Sequence, residues 1–219
     1  MRIYRCLLQL HDVVFFATRE MGRLYETEKY LHNFALTYAL QLVQSPYYIA
    51  EQVPTYRDDL QSLNRRQIYV TPAKPVRCDF VIHTFKLASI WYHVEMEKPK
   101  KNIPGYGRAK ELAPESTFLF YVFSPEPLTL PRWIRLGKWM GKASVLTEEL
   151  RNIREKQGAF TVNQPLNPLD VPIMPMRYDL ITMPPVSLIN YGRFDGRYYE
   201  AEHDDGSTIQ LPVGMKYFA

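Results

Sequence analysis

A chain of 219 residues with 46% apolar residues is long enough for one large domain or two small ones, and its two cysteines exclude a disulfide-stapled scaffold. No apolar run approaches the roughly 18 residues of a membrane-spanning helix, and MRIYRCLLQLHD lacks the long apolar stretch of a secretory signal, so a soluble cytoplasmic protein away from membranes is expected. The net charge of +4 excludes little by itself; where the charges fall says more.

Residues 3–10, IYRCLLQL, alternate as a first strand with Tyr4, Cys6, Leu8 and Leu10 on one face. Cys6 and Cys78 both sit in apolar, strand-like runs and read as reduced core thiols. The stretch VVFFATREMGRLYET is a mixed loop. Thr27 then caps a predicted helix running to about Gln44, with Leu31, Phe34, Ala35, Tyr38 and Leu42 at helical spacing and Pro46 as its stop. Residues 45–75 are irregular, broken by four prolines. Residues 78–97 are predicted as one or two long strands, with Ile90, Tyr92, Val94 and Met96 alternating against Trp91, His93 and Glu95. TFLFYVFS, 117–124, is continuously apolar, which suits a strand buried on both faces. A second helix is predicted over TEELRNIREKQ, 147–157, ended by Gly158. RYDLITM, 177–183, and RYYEAEHDDGSTIQL, 197–211, read as strands, the latter a hairpin about Asp205-Gly206.

The order β, α, β, β begins a ferredoxin-like or RNA-recognition-type fold. The predicted class is therefore α/β (α+β), with extra strands and long loops. A single domain is expected over 1–219, with a β-rich C-terminal extension from about 160.

Three segments, 63–77, 98–110 and 132–142, hold 13 of the 27 Lys and Arg and no acid, leaving 14 cations against 23 anions elsewhere. A mildly acidic body with three basic loops fits a polyanion binder. In KPKKNIPGYGRAK, Lys100, Lys101, Arg108 and Lys110 can meet phosphates, while Tyr106 between two glycines offers a stacking face. In RWIRLGKWMGKASV, Trp133 and Ile134 are expected to anchor the stretch in the fold and Gly137 to bend it. Arg135, Lys138 and Lys142 would then meet phosphates, and Trp139 either packs in the core or stacks under a base.

Catalytic signals are weak. His203-Asp204-Asp205 resembles a metal site but is explained by a turn. His11-Asp12 pairs a base with an acid, or simply ends a strand. His83 and His93 lie on strand-like segments without ligand partners at metal spacing, and no nucleotide, hydrolase or zinc motif is present. No catalysis, metal or cofactor is expected, although a metal-independent ribonuclease needs only Tyr, His and Lys, which are plentiful.

Three blocks carry a family resemblance: HDVVFFATREMGRLYETEKYLHNFALTYAL (11–40), NIPGYGRAKELAPEST (102–117) and PRWIRLGKWMGKASV (131–145). They resemble the Csc-one type of the Cas-five family, a small subunit of type I-D CRISPR effector complexes within the RAMP superfamily. The resemblance implies a ferredoxin-like RAMP core and a place in a ribonucleoprotein of antiviral defence. It implies a grip on the five-prime handle of crRNA, a cap on the backbone filament and contact with the large subunit. Contact with target DNA near the PAM stays open. RAMP proteins often contact RNA through a glycine-rich loop; Gly137-Lys138 and Gly141-Lys142 occupy a similar setting with different spacing. Arg19 and Arg23 in the first block join the candidate RNA-binding residues. The rival readings are a pre-crRNA-processing endoribonuclease and a protein-only assembly subunit.

Overall fold

The computed structural model describes residues 1–44, 53–86 and 105–219. Strand β1 (Arg2–Leu10) buries Tyr4, Cys6, Leu8 and Leu10 on one face, as its alternation predicts. Nine-residue β1 lies between two antiparallel neighbours, β8 (Thr117–Ser124) and β10 (Gly141–Glu149). Strand β9 (Trp133–Leu136) extends the sheet beyond β10, and β4 (Tyr69–Val70) and β5 (Lys74–Arg77) pair with the other edge of β8. The continuous apolar run of β8 follows from its central place. Phe118, Phe120 and Val122 face a core shared with β1, β9 and β10, whereas Leu119, Tyr121 and Phe123 face a second core on the opposite side.

Among the described residues the strands form three sheets. The second is a small one in which β3 (Leu24–Glu26) lies between β2 (Arg19–Met21) and β7 (Tyr106–Leu112), with β6 (Phe80–Lys86) outermost. In the third, β13 (Leu188–Glu202) pairs with β11 (Arg151–Val162), β12 (Arg177–Ile181) and β14 (Thr208–Pro212). The α+β class holds, with more strand and less helix than the sequence suggests.

Helix α1 spans only Asn33–Ala39 and is capped by His32, whose Nδ1 accepts from Phe34 N at 3.3 Å. Thr27 does not cap it. Its hydroxyl instead accepts from Phe16 N and donates to Phe16 O, both at 3.0 Å, so the chain is still extended at the position predicted to start the helix. The helix stops at Leu40, before Pro46, with Gln41 at φ 57°. Helix α2 (Tyr56–Arg65) lies in the stretch read as irregular. Only Leu60 and Leu63 are buried there, too sparse a stripe to stand out among prolines, although Asp58 and Asp59 mark its first turn.

The helix predicted over 147–157 is wrong. Strand β10 continues through Thr147, Leu150 is buried at a corner, and β11 begins at Arg151. Glu, Lys and Arg favour helix locally, but here they find partners across the ladder. Lys156 Nζ meets Glu200 Oε1 at 2.6 Å, and Arg197 pairs with Glu155. Gly158 is no helix stop; it faces Gly196 across β11 and β13.

The hairpin turn at Asp205-Gly206 is as predicted: Gly206 has φ 79°, and Ser207 N donates to Asp205 Oδ1 at 2.9 Å. Neither cysteine is in a disulfide. Burial pushes the Cys6 thiol up to about 12, whereas Cys78 is half-buried between β5 and β6 rather than in a strand. The predicted strand positions Ile90 to Met96 lie outside the described residues.

A buried polar knot fixes α1. Asp170 accepts from Asn33 Nδ2 at 2.7 Å, Tyr69 OH at 3.2 Å and Phe218 N at 2.9 Å. The Tyr217 hydroxyl bonds Thr37 at 2.6 Å and accepts from Val70 N at 3.1 Å. This leaves Ala35, Tyr38 and Ala39, at i, i+3 and i+4, on the half-buried outer face of α1.

Candidate nucleic-acid interface

The stretch RWIRLGKWMGKASV is a β-hairpin, with β9 and β10 joined across 137–140. Side chains alternate along β9, so burying Ile134 and Leu136 turns Trp133 and Arg135 outward. Trp133 is thus not the core anchor expected from the sequence. It is 51% exposed, with Lys142 Nζ 4.1 Å from its ring centroid and the His11 ring 5.0 Å away. Ile134 and Leu136 do the anchoring.

Arg135 stands directly opposite Lys142 in the ladder. Two like charges in that position repel, and the fold offsets this with an acid and two neutral partners. Asp12 Oδ2 accepts from Lys142 N at 3.0 Å and lies 3.9 Å from Arg135 Nη1. Arg135 also donates to Met140 O at 3.1 Å, and Lys142 lies over the Trp133 ring. The outcome is an outward-facing pair of cations with Asp12 beside them.

The glycines serve close approach. Residues 11–16 run beside the hairpin: His11 N donates to Lys142 O at 2.9 Å, and Lys138 N to Phe15 O at 2.9 Å. A Cβ on Gly141 would sit 2.5 Å from Val13 O, and one on Gly137, at φ 76°, 2.8 Å from Phe15 O. Trp139 stacks on Phe15 with ring centroids 4.6 Å apart and is 51% exposed. It is therefore a surface indole with one face backed by the fold. Asp12 is engaged by the hairpin, and the His11 ring meets Ser144 Oγ at 2.9 Å, so the acid behind His11 does not orient it.

The other candidate residues gather on the second sheet. Arg19 pairs with Glu26 at 3.8 Å, and Arg23 O accepts from Arg108 N at 2.7 Å. Tyr106 and Arg108 are exposed on strand β7, not at a loop tip. Lys110 is committed inward, 3.3 Å from Glu26 Oε1 and 4.4 Å from the Phe80 ring centroid. Lys100 and Lys101 lie outside the described residues. The basic run 63–77 is no single loop. Arg65 ends α2, Arg77 pairs with Asp79 at 3.3 Å, and half-buried Lys74 reaches Asn163 O at 3.4 Å.

An open trough of about 530 Å³ runs between α1 and β9, lined by Phe16, Ala35, Tyr38, Trp133, Arg135 and Lys142 among others. Phe16 and the α1 stripe belong to this surface, buried Phe15 backs Trp139 beside it, and sequence reasoning missed them. The run VVFF signals only apolar character, and its place beside the hairpin is set by tertiary pairing.

Flat aromatic surfaces beside fixed cations are what single-stranded nucleic acid requires. Comparison with known proteins gives a family. A crystal structure of a CRISPR protein from Archaeoglobus fulgidus matches over 97% of this chain and 100% of its own, at 9% identity and a TM-score of 0.39, a likeness too loose to argue from. No curated protein matches the chain. The family model described as "Type I-D CRISPR-associated protein Cas5/Csc1" matches residues 1–219. With the match spanning its full length, the chain belongs to the type I-D CRISPR-associated Cas5/Csc1 family.

Proposed function

We propose that this chain is a non-catalytic, RNA-binding subunit of a type I-D surveillance complex in antiviral defence. It grips the five-prime handle of crRNA on the β9–β10 hairpin, caps the backbone filament and contacts the large subunit. One observation carries the RNA reading: Arg135 and Lys142 are held face to face beside the exposed Trp133, although the pairing costs the fold energy. A surface that tolerates such repulsion gains most when a polyanion neutralises it. The test is titration of handle RNA into the purified chain at several salt concentrations. A log–log slope equivalent to several phosphates is expected, and binding that ignores salt would refute the reading.

One contact favours an endoribonuclease as the second reading. His83 Nδ1 lies 2.7 Å from Oε2 of the fully buried Glu111, while His83 is 58% exposed. The two are not aligned as a hydrogen bond, which weighs against an oriented general base. Incubating the chain with repeat RNA in metal-free buffer separates the readings. Cleavage that disappears in His83→Ala would establish the enzyme.

A further inference from the structure

Beside the trough lies a smaller chamber of about 260 Å³. Its aromatic walls include Phe16, Tyr30, Phe34, Tyr38 and Tyr56, with Lys138 among the lining residues. We infer that this chamber takes one base extruded from the bound single-stranded RNA, while the adjoining phosphates lie on Lys138 and Arg135. The inference rests on the RNA-binding reading and adds a base-binding subsite to it.

Four features carry it. The first is size: the volume falls below the roughly 300 Å³ at which drug-sized sites begin, so it suits one ring system and not a stack of nucleotides. The second is rigidity. Tyr38 OH donates to Asp59 Oδ2 at 2.6 Å, Asn190 Nδ2 donates to Tyr30 OH at 3.4 Å, and Phe34 packs on Tyr56 with centroids 4.9 Å apart. Walls already held in place lose little freedom when a ring enters.

The third is continuity. Chamber and trough share Phe16, Ala35 and Tyr38, so a strand lying on the hairpin reaches the chamber without a gap. The fourth is charge. Lys138 N is tied to Phe15 O at 2.9 Å, which roots this cation beside the chamber, while Arg135 and Lys142 line the trough. A flat ring joined to negative charge satisfies both the walls and the cations; an apolar side chain of a protein satisfies only the walls.

Five aromatic rings among its lining residues make stacking the chamber's main offer to a base. His32 lines it, but burial lowers its pKa to about 4, keeping the ring neutral near pH 7, and Nε2 is shut off from solvent. The neighbouring Val186 carbonyl only partly counters that burial. Stacking accepts every base, so one position in the RNA is recognised by having a base and not by which base it has.

The experiment is an abasic scan of the handle RNA, one site at a time, titrated against the full chain and two variants. Ala35→Trp fills the junction of chamber and trough from the outer face of α1, and Tyr30→Ala opens a wall. In the parent, one abasic position should weaken binding on the order of tenfold and its neighbours far less. Ala35→Trp should bind intact RNA on the order of tenfold more weakly, show no further loss at that position, and keep the parent's salt slope. Should Ala35→Trp fail to fold, Tyr30→Ala must reduce the same positional effect. A flat scan with a normal salt slope overturns the chamber while leaving RNA binding intact. No RNA binding at all overturns both. An unchanged scan in a folded Ala35→Trp or Tyr30→Ala variant also overturns the chamber; if Ala35→Trp then loses a neighbouring subunit, the occupant is a protein side chain.

Discussion

Replacing Lys142 separates the two roles a cation can have in this hairpin. Lys142→Ala removes the interaction with Trp133, worth about 0.5–1 kcal/mol at an exposed site. It also relieves the repulsion from Arg135 directly opposite, an effect of about 0.2–1 kcal/mol with the other sign. The two nearly cancel, so the melting temperature should move by no more than about 3 °C. Lys142→Glu sharpens the contrast, because the new carboxylate faces Arg135 and the pairing becomes attractive. The same carboxylate sits beside Asp12, which offsets part of that gain, so this variant should melt within about 3 °C of the parent. RNA binding should fall in both. The salt slope should fall by about 0.7 for each single-strand phosphate that is no longer neutralised, with Lys142→Glu binding more weakly than Lys142→Ala. The assays are thermal melts of the free chain and fluorescence titrations of handle RNA over a salt series. An unchanged slope in both variants, or an affinity loss that simply tracks a drop in melting temperature, would refute the assignment of Lys142 to RNA.

Trp133→Ala should cost the fold less than about 1 kcal/mol because half of the ring is already in water, whereas Ile134→Ala, removing a buried anchor, should cost about 2–4 kcal/mol by denaturant unfolding. Gly141→Ala drives a Cβ against Val13 O, so the hairpin must lift from residues 11–16; a loss of about 1–3 kcal/mol together with weaker RNA binding is expected, and a neutral result would show that the close approach is not needed. Asp170→Asn puts an amide donor among the three donors that Asp170 now accepts from, costing about 1–3 kcal/mol per misplaced group. Burial raises the Asp170 pKa from 3.8 to about 6, so the native state holds a proton the unfolded chain has lost between those values. The stability this group contributes is full below about pH 4 and is lost as pH rises through 6. Buried His32, lowered from 6.5 to about 4, acts with the opposite sign over much of the same window. The difference between parent and Asp170→Asn stability curves therefore isolates the Asp170 effect, and a difference that does not vary from pH 4 to 6 would contradict it.

Local pattern was enough where one residue's neighbours in sequence are also its neighbours in packing. The period of two in β1 and the unbroken apolar run of β8 predicted strands and their burial, because a strand's two faces are written in its own alternation. The turn at Asp205-Gly206 was legible for the same reason. The charge pattern singled out 132–142 as a candidate surface, and the alternation of Trp133, Ile134, Arg135 and Leu136 already held the answer that Trp133 faces out. The cationic, glycine-bearing block 98–110 was less decisive, since part of it is strand β7 and Lys110 is turned toward Glu26 and Phe80. Tertiary structure alone decided the rest. Residues 147–157 have the composition of a helix, and only their partners on β1 and β13 make them strand. Likewise Phe15 is one more apolar residue until Gly137 and Gly141 let the hairpin settle against it and Trp139 stack on its ring. Such contacts join segments far apart in the chain, and they leave no period or spacing in either segment by which the other could be found.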